Sequence, residues 1–231
     1  MNKTALVMLC MLVVILLTGA VRDASAGADA DEGNPVEGWF RIDTDGLGTQ
    51  FWVGATHPVG GIGLASDIYV VDTFAEFDLG IAVSYNSVSL LPMVGMGFDF
   101  GKQEAESLIA PQLFTIIDAD PVYFESWIQV FFNDMFDEGE EDDFYTRNFL
   151  LYNISDQVAF GPQIEATLAI KNKPLNKDME EASLIALPVG ARLNLNYGEN
   201  NTLGLFLGFD AVAEEFNKSK FAGRFTFIRT W

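Results

Sequence analysis

The chain holds one histidine, His57, and one cysteine, Cys10, so nucleophilic and metal chemistry have few residues to draw on. A hydrolase needs a base set against a nucleophile. Ser66 and Asp67 are the nearest candidates to His57 in sequence, and no motif joins them. The lone thiol excludes a disulfide framework and a cysteine-ligated zinc site. Carboxylates are the abundant reactive group. Glu76 and Asp78 lie two apart, which puts both on one face of a strand. Acid–base chemistry could use that pair, but lining a polar interior is the use its surroundings favour. The stretch from Met135 to Phe144 (MFDEGEEDDF) holds six acids. Carboxylate oxygens suit Ca²⁺ and Mg²⁺, yet the Asp-x-Asp-x-Asp-Gly spacing of a calcium loop is missing, so it reads as a solvated surface loop. Gly54, Gly60, Gly61 and Gly63 do not form a Gly-x-Gly-x-x-Gly turn leading into a helix, so no nucleotide cofactor is implied. No catalytic residue, metal ligand or cofactor is assigned.

Charge and composition narrow the class. With 13 basic and 33 acidic residues the 231-residue chain carries a net −20, which argues against nucleic acid and against anionic lipid as electrostatic partners. Disorder is a poor fit, because 49% of the residues are hydrophobic and only 20% charged. Lys3, the apolar run from Ala5 to Leu17 and Ala24-Ser25-Ala26 have the order of a secretory signal peptide over 1–26. Its removal takes away two bases, one acid and Cys10, which moves the charge to −21. Residues 27–35 (GADADEGNP) read as a flexible leader, and 36–231 as one domain.

The elements that would position the carboxylates have period two. Phe77, Leu79, Ile81, Val83 and Tyr85 alternate with Glu76, Asp78, Gly80, Ala82 and Ser84. Val158, Phe160, Pro162, Ile164, Ala166, Leu168 and Ile170 alternate with Ala159, Gly161, Gln163, Glu165 and Thr167. Strands are expected near 36–44, 48–57, 61–71, 74–86, 88–100, 107–117, 121–134, 143–154, 156–170, 183–197, 201–213 and 219–231. Several are longer than the usual strand of about 5–6 residues and match the roughly 9–11 that a tilted membrane strand needs. From the fifth strand onward, short connections alternate with longer polar ones such as 101–106, 135–142, 171–182 and 214–218, the pattern of a barrel with turns on one rim and loops on the other. The first hairpin alternates weakly. If it is a plug or leader, ten strands remain.

The chain ends on Phe221, Phe225, Phe227 and Trp231, with aromatics at alternate positions before a terminal Trp. In this it resembles the bacterial outer-membrane β-barrel class, porin-like in its long alternating strands; Arg229 departs from the pattern, where an apolar residue is usual. The resemblance implies an antiparallel transmembrane β-barrel in the outer membrane of a Gram-negative bacterium, surrounded by lipid, with Trp231 read by the barrel-assembly machinery. Trp52, Tyr85, Tyr123, Tyr152, Tyr197 and Trp231 are expected in aromatic girdles near the strand ends. The polar faces would then line a lumen. Asp67, Glu76, Asp78 and Asp99 come from its first half. Glu125, Gln129, Gln163 and Glu165 follow, then Arg192, Asn194 and Asp210. Seven of these are acidic and one is basic, so a narrow channel for small cationic or neutral solutes is expected. A filled barrel, with Arg192 and Arg147 paired to carboxylates such as Glu165 and the acidic loops binding a partner, is the main alternative. An outer-membrane enzyme and a soluble β-sandwich are the remaining ones.

Overall fold

The computed structural model describes residues 36–59, 62–101, 104–133, 142–171, 183–213 and 220–231. The expected signal peptide, the leader and most of the acidic loop lie outside them. Alternating sequence becomes antiparallel strand almost throughout. In order these are β1 (Glu37–Asp45), β2 (Gly48–Val59), β3 (Ile62–Val71), β4 (Phe74–Tyr85), β5 (Val88–Asp99) and β6 (Glu104–Ala119). They continue with β7 (Val122–Asn133), β8 (Asp142–Ser155), β9 (Val158–Lys171), β10 (Ser183–Ala186), β11 (Pro188–Tyr197), β12 (Asn201–Asp210) and β13 (Phe221–Thr230).

Except at β10, each strand pairs with its chain neighbours; β9 pairs with β8 and with β11, and β13 pairs with β1, so the sheet closes on itself. The result is a twelve-strand barrel with one extra short segment, β10, which pairs with β9 directly ahead of β11. The break falls at Leu187, next to Pro188, which has no N–H for the ladder. Leu187 N–H donates instead to the Asp210 carboxylate at 2.9 Å. The weakly alternating first hairpin is a full barrel member, so the ten-strand option is wrong. β1 is one side of the closing seam. A single closed ladder also rules out the β-sandwich.

Burial is inverted relative to a soluble protein. Phe77, Leu79, Phe160, Ile164, Leu205, Leu207 and Phe225 are exposed, while Glu76, Asp78, Gln163, Glu165 and Thr226 on the alternate positions are buried. Water would penalise such a surface, whereas a hydrocarbon layer accepts it. An outward polar cluster within the belt satisfies itself: Ser126 donates to Asn148 (2.6 Å), which donates to Thr146 (2.9 Å).

The two rims differ. Two-residue turns 86–87, 120–121 and 156–157 share one rim with the start of β1 and the end of β13. The connections 134–141, 172–182 and 211–220 all leave from the other. Asp72 and Asn86 take positive φ (50° and 52°) in two of the tight turns, a region these short polar side chains tolerate. At the turn rim Tyr85, Tyr152, Tyr197 and Trp231 are exposed, as a girdle requires. Trp52 and Tyr123 are not part of it. Trp52 is buried in the interior, and Tyr123 turns its hydroxyl inward to Glu125. Arg229, the departure from the terminal pattern, lies exposed at this rim and reaches Asn201, where its charge stays out of the apolar belt.

The seam is held by the last residue. Trp231 and Gly38 exchange two backbone hydrogen bonds of 3.0 Å. The indole lies flat against Gly38, and a Cβ there would collide with the ring. Replacing Gly38 by Leu should therefore displace the ring and cost on the order of 1–3 kcal/mol. The unboiled, fast-migrating gel band should then convert to the unfolded form at a lower temperature than in the wild type.

Candidate functional site: the barrel interior

The inward positions of the strands bring together most of the carboxylates and amides expected from the alternation. Asp67, Glu76, Asp78, Glu125, Gln129, Gln163, Glu165, Arg192 and Asn194 are all buried inside. Asp99 and Asp210 are not among them. Asp99 sits at the end of β5 and accepts hydrogen bonds from Thr73 and the Gly101 N–H. Asp210 is half-buried at the end of β12, where it holds the Leu187 and Val212 N–H groups.

The interior holds four buried arginines, Arg41, Arg147, Arg192 and Arg224, where alternation had supplied one. Asp43 anchors two of them. Arg41 Nε donates to it at 2.9 Å, Arg147 Nη1 at 3.1 Å and Thr226 Oγ1 at 2.6 Å. Arg41 also donates to Glu125 at 3.1 Å. β1 and β7 lie on opposite sides of the closed order, so this pair crosses the lumen. Arg147 on β8 crosses to Asp43 in the same way. The expected pairing of Arg147 and Arg192 with Glu165 is not found. Arg224 takes Glu165 (2.7 Å) and Asp45 (2.6 Å) instead. Arg192 has amide partners, Asn194 at 2.8 Å and Gln163 at 3.2 Å, and its guanidinium lies 4.4 Å from the Phe149 ring centre.

Aromatic rings complete this waist. Trp52 on β2 meets Trp127 on β7 edge to face, 4.7 Å between centroids, and Trp127 stacks on Phe114 at 5.5 Å. Arg41 and Arg147 lie over Trp52 at 5.2 and 5.5 Å. Rings and guanidinium groups thus brace each other where a bare twelve-strand bore would be open. Sequence parity already pointed to Trp127, which shares its face with Glu125 and Gln129. Arg41, Asp43 and Asp45 share a face with Trp39, and Arg224 with Thr226. The irregular first hairpin and the dominant outward aromatics of the last strand mask these positions in the sequence.

A cavity lies on each side of the waist. The one toward the turn rim, about 170 Å³, has Trp39, Met93, Phe114, Ile116 and Asp67 in its walls. The one toward the loop rim, about 600 Å³, has Tyr69, Glu76, Trp127, Gln129, Glu165 and Arg224. Along the β3–β4 wall, Asp67 and Asp78 are cross-strand partners and Glu76 is two residues further on. The Glu76 and Asp78 side chains converge over Gly95, where a Cβ would collide with both. None of the three makes an ion pair among the described residues; Glu76 accepts from Gln129 Nε2, and Asp78 lies within hydrogen-bond reach of Asp67, Glu76 and Gln112. The file therefore runs from one cavity to the other, past a waist in which Arg41, Arg147 and Arg224 are paired with carboxylates and Arg192 is held by amides. His57 lies in β2 near the turn rim, with Ser66 Oγ 3.4 Å from its Nε2. Ser66 shares a strand face with Leu64 and Ile68, not with Asp67.

No protein-family model matches the chain, and no curated protein matches it significantly. Solved structures do. A KdgM porin aligns at TM-score 0.50 and 12% identity over 85% of this chain and 98% of its own. The KdgM porin in complex with disordered oligogalacturonate aligns at TM-score 0.50 and 11% identity with the same coverage. At such identity the likeness concerns the fold, which is that of a porin-like outer-membrane barrel.

Asp43 should be a sensitive polar residue of the interior, since its loss takes the close carboxylate partner from Arg147 and leaves Arg41 with Glu125 alone. Asp43→Ala should cost about 3–5 kcal/mol, read as a lower urea midpoint of the refolded barrel by tryptophan fluorescence.

Proposed function

We propose that the protein is a narrow outer-membrane channel passing small cationic or neutral solutes. The observation that carries this reading is the file Asp67–Asp78–Glu76, three interior carboxyls without an arginine between the two cavities. Arg41, Arg147 and Arg224 are already committed to Asp43, Glu125, Glu165 and Asp45, so they offer an entering anion little uncompensated charge. A passing cation can replace its hydration at successive oxygens along the wall. The crossing pairs and the Trp52–Trp127 contact limit the width, which suits small solutes only. Transport of acidic sugars, a use suggested by the oligogalacturonate bound to one structural neighbour, is disfavoured by the same carboxyl file. On this reading Trp231 also serves recognition by the barrel-assembly machinery before the seam closes, since closure uses up its backbone hydrogen bonds.

The waist also supports a second reading, a closed barrel with a structural or surface-binding role through its acidic loops. Planar bilayers separate the two. In a KCl gradient the purified barrel should give small ohmic steps with a reversal potential on the cation side. The Asp67→Asn, Glu76→Gln, Asp78→Asn triple variant should bring that potential close to zero. Silence at saturating protein favours the closed barrel, and anion selectivity removes the carboxyl-file argument. Arg41→Ala, which deletes a crossing side chain, should raise the unitary conductance. Heat-modifiable migration in the outer-membrane fraction tests the location.

A further inference from the structure

We infer that the loop-side cavity is a binding site for a neutral pyranoside, seated on the row of rings that ends in Tyr69 and Tyr145. The inference rests on the channel reading and deepens it by naming the class of neutral solute. The cavity floor, where it meets the waist, is aromatic. Tyr69 on β3 meets Trp52 on β2 with 5.2 Å between centroids. Trp52 meets Trp127 on β7 at 4.7 Å, and Trp127 meets Tyr145 on β8 at 4.9 Å. Each contact is edge to face, so the row crosses the lumen from β3 to β8 as a braced unit. Its ends, Tyr69 and Tyr145, are half-buried and line the cavity. Phe131, four residues beyond Trp127 on the same strand face, adds a further ring to the wall.

The polar groups of the wall select among solutes. Its described charged residues are all committed. Arg224 holds Asp45 at 2.6 Å and Glu165 at 2.7 Å, and Tyr145 donates to Glu165 at 2.8 Å. Glu76 accepts from Gln129, Asp210 accepts from the Leu187 and Val212 N–H groups, and Asp143 has a partner as well. An ion seated here would first have to open one of these contacts. Three neutral oxygens are free instead. Gln50 donates its Nε2 to Asp45 at 2.9 Å, which leaves Oε1 for another donor. The hydroxyls of Tyr69 and Thr167 have no hydrogen-bond partner among the described residues, and none of the three oxygens is sealed from the cavity. Gln50 and Tyr69 lie on neighbouring strands, and Thr167 on β9 stands on the opposite wall. A pyranose matches both features. Its C–H face suits an electron-rich ring, and its hydroxyls both donate and accept around the rim. Gln50 Oε1 accepts only, so it calls for a sugar O–H. At about 600 Å³ the space admits one small sugar with its water.

Tryptophan fluorescence of the purified barrel in a polyoxyethylene detergent tests this, with methyl β-D-glucopyranoside as the probe. Methyl β-D-glucuronide has the same ring with a negative charge, and sorbitol has the hydroxyls without the ring. The glucoside should bind saturably, and both controls should bind roughly tenfold more weakly or worse. Tyr69→Leu keeps an apolar side chain but removes the ring and its hydroxyl, and should weaken the glucoside by roughly fivefold to tenfold. No saturable signal, equal binding of the glucoside and either control, or an unchanged affinity in Tyr69→Leu overturns the site. If Tyr69→Leu gives no heat-modifiable band, the three solutes on the wild-type barrel decide alone. The channel reading fails separately: glucoside binding with silent bilayers removes conduction and keeps the site, whereas conducting bilayers without glucoside binding remove the site and keep conduction.

Discussion

A backbone in hydrocarbon has no water to satisfy it, and everything else in this barrel follows from that constraint. Each strand must be paired on both sides, so the sheet must close, and it closes where β13 meets β1. The seam is completed by Trp231 against Gly38, where the absence of a side chain lets the ring lie on the backbone. Closure then divides every strand into an outward and an inward set. The lipid takes Phe77, Leu79, Phe160 and Leu207, and the interior receives whatever lies between them.

Twelve strands leave a bore that backbone geometry alone does not fill. The chain fills it with long side chains that reach across. Arg41 meets Glu125, Arg147 meets Asp43, and Trp52 meets Trp127. Buried ion pairs contribute little net stability when every charge must be desolvated. Their worth here is positional, because they hold the waist narrow. The β3–β4 wall has no such compensation. Its carboxyls Asp67, Asp78 and Glu76 have no arginine partner and lean on one another and on Gln129, while Arg41, Arg147 and Arg224 are paired. The contrast between the matched waist and the unmatched file gives the interior a direction that a count of acids would miss.

Local alternation located most strand ends to within a few residues. The departures have local causes: β6 begins at Glu104 rather than 107, β12 stops at Asp210 because Ala211 and Val212 turn, and the strand expected over 183–197 is interrupted beside Pro188. Inward residues such as Glu76, Gln163 and Arg192 were legible because their neighbours at alternate positions are large and apolar. Arg41 and Asp43 were harder to see. Their strand has Gly38 and Thr44 where a lipid-facing residue would be large, and Gly38 is small so that Trp231 can cover it.

The sequence by itself determined the class: period-two strands of membrane length, connections of unequal length on two rims, an aromatic terminus and an acidic polar face. These are properties of neighbours along the chain, and a strand transmits them directly because its side chains alternate. It could not say which inward residues meet. Glu125 and Arg41 are 84 residues apart, Arg147 and Asp43 are 104, and Arg224 and Asp45 are 179. Their contacts depend on how far round the barrel each strand falls and on the stagger that closure imposes. Only the closed sheet decided that the interior is a braced waist between two cavities, with one carboxyl wall that no arginine meets.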